Sequence, residues 1–253
     1  MNDPAPIPVI PTLSSELRRH IDHHRSRTIG HVALLHFGRS GSRDLEDRLS
    51  ASIDVVTVDR PAKLEDLRGR CPEPPQRVLA SLALGHARGV GPGYEPLLRG
   101  LERLGFTQFV LLTRRNYLRA VVSCHLDEQP VTGRVPLDPD AVEIDGECRS
   151  LRSLFAQWDR DRAEIQARLH GRRRLELSYE DDVEEDPTWA CLWVRDFLGI
   201  AQAPVPLRVG PRASREIQHA IDGYDEIQAH LDGTRWAWMA PPTRTSGRTC
   251  CRS

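Results

Sequence analysis

The chain has no long apolar run, no clustered cysteines and no excess of charge of either sign. Its 253 residues contain no stretch of about eighteen apolar residues, the length that a membrane-spanning helix requires. Its six cysteines form no Cys-x-x-Cys pair and no His/Cys group at zinc-ligand spacing, so we expect neither a metal site nor a disulfide framework. The net charge of −1 gives no reason to expect nucleic acid or a membrane surface as a partner. These absences, with an N-terminus that lacks an export-signal pattern, predict a cytoplasmic protein without a membrane span.

The length of the chain is sufficient for one sizeable domain, and no internal repeat is visible. We expect a proline-rich, extended arm at residues 1–12 and a single domain at residues 13–240. A tail at residues 241–253, rich in Ser, Thr and Arg, is expected to be disordered. Nothing in the sequence indicates an oligomeric state.

Short apolar segments alternate with amphipathic segments along the domain. The expected buried strands are residues 32–37, 53–58, 78–84, 109–112 and 175–178, of which the third also fits a helix. Six helices are expected. The first directly follows the first strand, and the third runs from the end of the fourth strand to about residue 126. The others are at residues 96–104, 151–169, Pro187 to Gly199 and Ser214 to Leu231. This alternation predicts an α/β fold with three layers, α/β/α, around a central, mainly parallel sheet.

The turn after the first predicted strand has the composition of an anion site. It carries the sequence Arg39-Ser40-Gly41-Ser42 and leads directly into a helix. A strand, a tight turn and a helix in that order direct backbone N–H groups and the positive end of the helix dipole to one point. The turn lacks the Gly-x-x-x-x-Gly-Lys pattern of nucleotide-triphosphate loops. An anion site and an ordinary turn with Ser42 as the helix cap both fit these residues.

Side chains suited to binding or catalysis follow all five predicted strands. In a parallel sheet such residues gather at one edge, where the ligands of these folds bind. In chain order they are Arg39, Asp59, His86, Arg115 and Tyr179. Ser123 lies about two helical turns, or ~12 Å, after Arg115, so the two side chains could hold a second anion. The alternative is that Arg115 pairs with an acidic neighbour and that Ser123 has only a packing role.

The turn resembles the phosphosulfate loop of sulfotransferases that use 3′-phosphoadenosine 5′-phosphosulfate, most closely in the bacterial branch that includes the nodulation-factor and trehalose enzymes. In that family the loop reads Arg or Lys, Ser or Thr, Gly, Ser or Thr, and then Thr. The match here is Arg39, Ser40, Gly41 and Ser42. The final Thr is replaced by Arg43, whose guanidinium either strengthens anion binding or, if it points inward, blocks the sulfuryl group.

Further motifs of the family follow in the same order, over about residues 30 to 238. An Arg with a Ser eight residues later holds the 3′-phosphate, and Arg115 and Ser123 match that pair. A Tyr-Glu-Asp sequence places its Tyr near the adenine, and Tyr179 matches that Tyr. In the closing segment, Arg212 or Arg215 would contact the 3′-phosphate. The resemblance implies the P-loop-like sulfotransferase fold.

The activity that this resemblance implies is transfer of a sulfuryl group, without a metal, to a hydroxyl or amine of a small molecule or glycan. Arg39 would neutralise charge on the leaving oxygen. Relatives use a Glu after the second strand or a His after the third as the catalytic base. The corresponding positions hold Asp59 and His86, and Glu46 and His36 are more distant candidates.

The acceptor itself is not encoded in any motif. The loops at residues 60–76 and 127–150 would contact it. An alternative interpretation is a catalytically impaired, sulfotransferase-like protein that binds nucleotide or serves as an interaction module.

Overall fold

The computed structural model describes residues 30–50, 53–58, 67, 77–85, 93–128, 134–144, 146–184, 186–200 and 217–242. The predicted arm at residues 1–12 lies outside the described residues, as does all of the predicted tail except residues 241 and 242. The proposed domain boundaries therefore stay predictions.

The described residues form strands and helices that alternate along the chain. In order they are β1 (His31–His36), α1 (Ser42–Leu49), β2 (Asp54–Val58), β3 (Val78–Ala83), α2 (Glu95–Arg103), β4 (Phe106–Thr113), α3 (Tyr117–Glu128), β5 (Val135–Pro136), β6 (Val142–Ile144), β7 (Glu147–Arg149), α4 (Leu151–Leu169), β8 (Arg174–Ser178), α5 (Pro187–Leu198), β9 (Ile221–Asp222) and α6 (Tyr224–Leu231). A single π-helical turn, Tyr179–Val183, follows β8.

Five parallel strands form the central sheet, in the order β2-β3-β1-β4-β8. They are the five strands that the sequence predicts, and the segment at residues 78–84 forms a strand and not a helix. All six residues of β1 are buried, as is typical of a parallel strand with both faces covered.

Helices cover both faces of this sheet. One apolar cluster joins Leu35 of β1 to α2 and α4, and another joins Leu34 of the same strand to α1 and α5. Neighbouring residues of a strand point to opposite faces, so the two clusters lie on opposite sides of the sheet. The structure is thus an α/β fold with a central parallel sheet between helices, as predicted.

The strand order places a topological switch point between β1 and β4. The chain leaves β1 through α1 toward β2 on one side of the sheet, and it leaves β4 toward β8 on the other side. Where neighbouring parallel strands send their connections in opposite directions, a crevice opens beyond their carboxyl ends. The turn after β1 and the turn after β4 both lie at this crevice.

A third apolar cluster joins α3, the first part of α4 and α6 to the short strands β5 and β6. The chain segment between α3 and α4 contains most of the loop that the sequence predicts at residues 127–150. Its described residues instead form β5, which pairs with β9, and the antiparallel pair β6 and β7.

The helix predicted from Ser214 to Leu231 is wrong over its described first part. Residues 217–219 form a 3-10 turn, and Ile221 and Asp222 form β9 beside β5. Gly223 then adopts a left-handed φ of 70°, which ends the strand and precedes α6.

In the described part of the chain, no helix combines the length and the apolar character needed to cross a membrane.

Candidate active site

A cleft of about 1270 Å³ lies at the carboxyl edge of the central sheet. The last residues of β1, β3 and β4 line it, namely His36, Ala83 and Thr113. Other walls come from the turn after β1, α1, α3, the segment 136–144 with Gly146, α4 and Tyr179 after β8. Ligand pockets commonly measure about 300–1,000 Å³, so this cleft has room for two ligands side by side.

The turn after β1 has the backbone of an anion-binding loop. Arg39 is the one non-glycine residue among those described with a positive φ, at 60°, and Gly41 follows with a φ of 81°. Gly41 occupies the cap position of α1 and provides no side-chain acceptor for the first N–H groups of that helix. The interpretation of Ser42 as the cap is therefore wrong, because Ser42 is already the first helical residue. Both the dipole and the N–H groups at this end of α1 favour an anion.

Ser40 lies inside the same turn. Its side chain is fully buried, and its Oγ has no hydrogen-bond partner among the described residues. A buried hydroxyl without a partner costs about 1–3 kcal/mol, so its presence in this turn needs an explanation. Ser40 itself does not line the cleft, although its neighbours Arg39 and Gly41 do. A ligand oxygen that enters the turn would provide the missing partner.

Gly41, Tyr179 and Arg114 form a stack against the turn. A Cβ atom at Gly41 would lie 2.6 Å from Cδ2 and Cε2 of the Tyr179 ring, so only glycine fits. The guanidinium carbon of Arg114 lies 4.5 Å from the centre of that ring. Burial raises the pKa of the Tyr179 hydroxyl above its usual value.

Arg114 also fixes the unusual backbone of the turn. Its Nη1 donates a hydrogen bond of 2.7 Å to the carbonyl oxygen of Arg39. Burial lowers the pKa of Arg114, while Tyr179 and Glu180 act in the opposite direction. One buried guanidinium thus connects the end of β4 to the anion loop after β1 and to the turn after β8.

Glu180 ties the turns after β4 and β8 together. Its carboxylate accepts hydrogen bonds of 2.9 Å from the backbone N–H groups of both Arg115 and Asn116, at the start of α3. It also lies 3.9 Å from Nε of Arg114. Within the Tyr-Glu-Asp motif, the sequence predicts a role for the Tyr and not for Glu180. The position of Glu180 just after β8, at the same sheet edge as the start of α3, is the signal that identifies it.

Arg115 and Ser123, the predicted 3′-phosphate pair, occupy different environments. Ser123 lines the cleft. Arg115 does not line it, and its guanidinium is paired with Asp181 on the exposed surface. For Arg115 this is the arrangement of the acidic-neighbour alternative, whereas Ser123 faces the cleft.

The structure brings most of the other predicted site residues to the cleft. Arg39, Gly41, Ser42, Arg43, Ser123 and Tyr179 line it. The Arg43 side chain is on the exposed side of α1, and its position is compatible with contact to a bound anion. Asp59, His86, Arg212 and Arg215 lie outside the described residues.

The two more distant base candidates both line the cleft and are both buried. His36 ends β1, and Glu46 is on the sheet-facing side of α1. Ser81 Oγ, in β3, donates a hydrogen bond of 2.6 Å to Glu46 Oε1. A carboxylate is therefore held in a fixed position within one helical turn of the anion loop.

The opposite part of the cleft is aromatic and mixed in charge. Tyr117 and Trp158 line it, with ring centres 5.4 Å apart in an edge-on arrangement. The Tyr117 hydroxyl donates a 2.9 Å hydrogen bond to Asp159, which also accepts one of 3.0 Å from Trp236 Nε1. Burial and Asp159 raise the pKa of Tyr117 to about 12, although Arg162 opposes the increase. Asp138 and Glu143 line the cleft from the segment before α4.

Both cationic and acidic residues line the cleft. The arginines are Arg39, Arg43, Arg114 and Arg162, and the acidic residues are Asp44, Glu46, Asp47, Asp138 and Glu143. Guanidinium groups are suited to an anionic ligand. Among the residues that the structure describes, no group of three or more His, Cys, Asp or Glu side chains is placed to hold a metal ion.

Comparison of the chain with models of known protein families, and with curated protein sequences, finds no match.

Proposed function

We propose that this chain is a sulfotransferase that moves a sulfuryl group from 3′-phosphoadenosine 5′-phosphosulfate to a hydroxyl or amine of a small molecule or glycan. The observation that carries the proposal is the loop Arg39-Ser40-Gly41-Ser42, which has left-handed φ values at Arg39 and Gly41 and precedes α1. Its residues Arg39, Gly41 and Ser42 line the cleft at the switch point of the sheet. The resemblance of its residues to the phosphosulfate loop and its anion-binding backbone are independent reasons for the same ligand. The fold we propose is accordingly the P-loop-like sulfotransferase fold.

The nucleotide would lie along the cleft from the loop toward α3. Tyr179 packs on Gly41 and lines the cleft beside the loop, where the adenine would contact it. Ser123, on the cleft side of α3, is available to a 3′-phosphate. Arg115 would join it by leaving Asp181. That exchange costs little, because the two paired side chains are about half exposed and such pairs contribute about 0–1 kcal/mol.

Transfer of the sulfuryl group forms a bond from sulfur to the acceptor oxygen or nitrogen and breaks the bond from sulfur to the bridging oxygen of the donor. Arg39 and the N–H groups at the start of α1 neutralise charge on that leaving oxygen. A base accepts the proton of the acceptor. The sequence motifs assign the base to His86 or Asp59. The aromatic part of the cleft, at Tyr117 and Trp158, would hold the acceptor.

Binding of adenosine 3′,5′-bisphosphate, the product nucleotide, tests the first half of the proposal. It should raise the melting temperature of the protein in proportion to the logarithm of its concentration, and adenosine alone should not. Arg39→Ala should abolish the increase. No stabilisation of the wild-type protein at millimolar nucleotide would contradict the proposal.

Transfer is tested with the donor and an extract of host metabolites, followed by mass spectrometry. The expected result is a metabolite heavier by one sulfuryl group, together with adenosine 3′,5′-bisphosphate, in the wild-type reaction and not with Arg39→Ala. Identification of that metabolite also names the acceptor.

A second candidate function is a nucleotide-binding module without transfer activity. The observation that favours it is Arg43, a cleft-lining residue at the position where the resembled family has Thr. This candidate predicts binding of the bisphosphate without any sulfated product. Arg43→Thr would then be expected to restore transfer.

A further inference from the structure

We infer that Glu46 is the catalytic base that removes the proton from the acceptor. This inference rests on the proposed sulfuryl transfer and assigns a step of that reaction to a residue that the family motifs do not mark. It follows from the position of Glu46 in the cleft, its burial and its fixed orientation.

Glu46 occupies a position where packing alone would favour an apolar side chain. The buried face of α1 otherwise consists of Ser42, Leu45 and Leu49, and Glu46 is only 8% exposed. Its partner Ser81 is fully buried in a strand, β3, whose neighbouring residues are apolar. Burial of a carboxylate is costly unless it is hydrogen-bonded, and replacement of such a pair by apolar residues is often stabilising. Stability alone therefore does not account for the Ser81–Glu46 pair, and a functional role does.

The geometry of α1 directs this carboxylate toward the reaction centre. Glu46 lies about one helical turn, or ~6 Å along the axis, after Ser42 at the end of the anion loop. Side chains of a helix lean toward its N-terminus, so the Glu46 side chain extends back toward the loop. The 2.6 Å hydrogen bond from Ser81 fixes one carboxylate oxygen. Both Glu46 and the loop line the same cleft, so an acceptor hydroxyl positioned for attack on the bound sulfuryl group is within reach of this carboxylate.

Glu46 shares this part of the cleft with other titratable and charged groups. They are His36 at the end of β1, Arg39 and Arg43 at the loop, and Asp44 and Asp47 on α1. Asp47 is exposed, whereas Glu46 and His36 are buried. The proton that Glu46 accepts from the acceptor can leave to solvent after product release, so the step needs no further reactant.

The test compares Glu46→Gln with the wild-type protein in three measurements. Gln preserves the size of the side chain and an oxygen that can accept from Ser81, but it cannot accept a proton at neutral pH. We expect an unchanged affinity for adenosine 3′,5′-bisphosphate and an unchanged melting temperature. We expect the rate of transfer to fall about 10²- to 10⁴-fold, the usual contribution of a general base.

Ser81→Ala and Asp196→Asn provide the comparisons. Ser81→Ala keeps the carboxylate but removes its orienting hydrogen bond, so we expect a smaller loss of rate than with Glu46→Gln. Asp196→Asn changes an exposed carboxylate of α5 that does not line the cleft, and it should leave the rate unchanged.

Three results would overturn the assignment. Transfer by Glu46→Gln at the wild-type rate shows that the base lies elsewhere, and His86→Ala and Asp59→Asn in the same assay would locate it. A parallel loss of melting temperature, nucleotide affinity and rate would show a structural role for Glu46. If the wild-type protein consumes the donor with neither an acceptor nor water, the proposed function itself fails. This outcome is distinguishable from the other two because it is seen without any variant.

Discussion

Gly41 and Tyr179 are in contact so close that a single methyl group on Gly41 would overlap the tyrosine ring. A Cβ there would lie 2.6 Å from two ring carbons, and the φ of Gly41 is 81°. The turn after β1 and the turn after β8 are thus packed directly together, and the shape of the anion loop depends on both. The contact explains the glycine of the loop without reference to any ligand.

Gly41→Ala should therefore abolish nucleotide binding. The substitution combines a left-handed backbone, which costs a residue with a Cβ about 1–2 kcal/mol, with the overlap on Tyr179. Gly171→Ala is the matched control, because Gly171 has a φ of 79° and open space where the Cβ would be. Urea unfolding should show a loss of about 1–2 kcal/mol for Gly171→Ala and a larger loss for Gly41→Ala. Equal losses, or normal binding of adenosine 3′,5′-bisphosphate by Gly41→Ala, would contradict this account of the loop.

Arg114→Lys should destabilise the protein and weaken nucleotide binding, although the charge is kept. Lysine cannot at once donate to the Arg39 carbonyl, cover the Tyr179 ring and lie beside Glu180 as the planar guanidinium does. We expect a loss of about 1–3 kcal/mol in the free energy of unfolding.

Arg99→Lys is the control for this substitution. Arg99 pairs with Glu95 on an exposed helix surface, and its side chain is 66% exposed, so the same chemical change should alter stability by less than ~0.5 kcal/mol. If Arg114→Lys behaves like Arg99→Lys, Arg114 does not support the anion loop.

Much of the fold was predictable because its signals are local. The apolar run Val32–Leu35 is buried on both faces, and Ser150 caps α4 by accepting a hydrogen bond from the N–H of Ser153. Such features depend on neighbours in the sequence. The break between β9 and α6 was missed because Ile221 pairs with Val135, a contact between distant parts of the chain that the helical pattern up to Leu231 does not reveal.

In the candidate site, too, local features are predictable and contacts between distant parts of the chain are not. The loop at residues 39–42 was identified because its composition and its place between a strand and a helix are local. The environments of Arg114 and Arg115 were not predictable, because two consecutive arginines after a strand point to opposite sides and the sequence does not say which side faces the cleft. Arg114 donates a hydrogen bond to the carbonyl oxygen of Arg39 in the loop, and Arg115 forms an ion pair with Asp181. The role of Glu180 as acceptor for two N–H groups likewise depends on the adjacency of β4 and β8.

Arg115→Ala should reduce selectivity for the 3′-phosphate with little effect on stability. The Arg115–Asp181 pair is exposed, so its loss should change the free energy of unfolding by less than ~1 kcal/mol. A hydrogen bond to a charged group contributes about 1.5–3 kcal/mol, so affinity for adenosine 3′,5′-bisphosphate should fall about 10- to 100-fold. Affinity for adenosine 5′-phosphosulfate, which has no 3′-phosphate, should be unchanged when measured by the same calorimetric titration.

Asp181→Ala provides the opposite test of the same pair. It releases Arg115 from its present partner, so affinity for the bisphosphate should stay the same or increase. A decrease with Asp181→Ala as large as that with Arg115→Ala would show that the pair acts through the shape of the turn and not through the phosphate.

Tyr117 should make the protein lose stability at alkaline pH. Its pKa is raised from 10.0 to about 12, first by burial and second by the hydrogen bond to Asp159, so folding favours the protonated phenol. Below pH 10 both the folded and the unfolded states keep this proton, and the stabilisation is complete. As the pH rises from 10 toward 12, the unfolded state loses the proton first, and the free energy of unfolding decreases.

Tyr117→Phe should remove this part of the pH dependence. At neutral pH the variant loses one hydrogen bond, about 1 kcal/mol, while Asp159 keeps its bonds to Trp236 and Arg235. Urea unfolding at a series of pH values should show the two proteins converging in stability above pH 10, because only the wild type has Tyr117 to titrate. Burial also raises the pKa of Tyr224 to about 12, so Tyr224→Phe should flatten the profile separately and additively. A difference between wild type and Tyr117→Phe that stays constant across this range would show that Tyr117 titrates normally in the folded protein, and that Asp159 does not hold its proton.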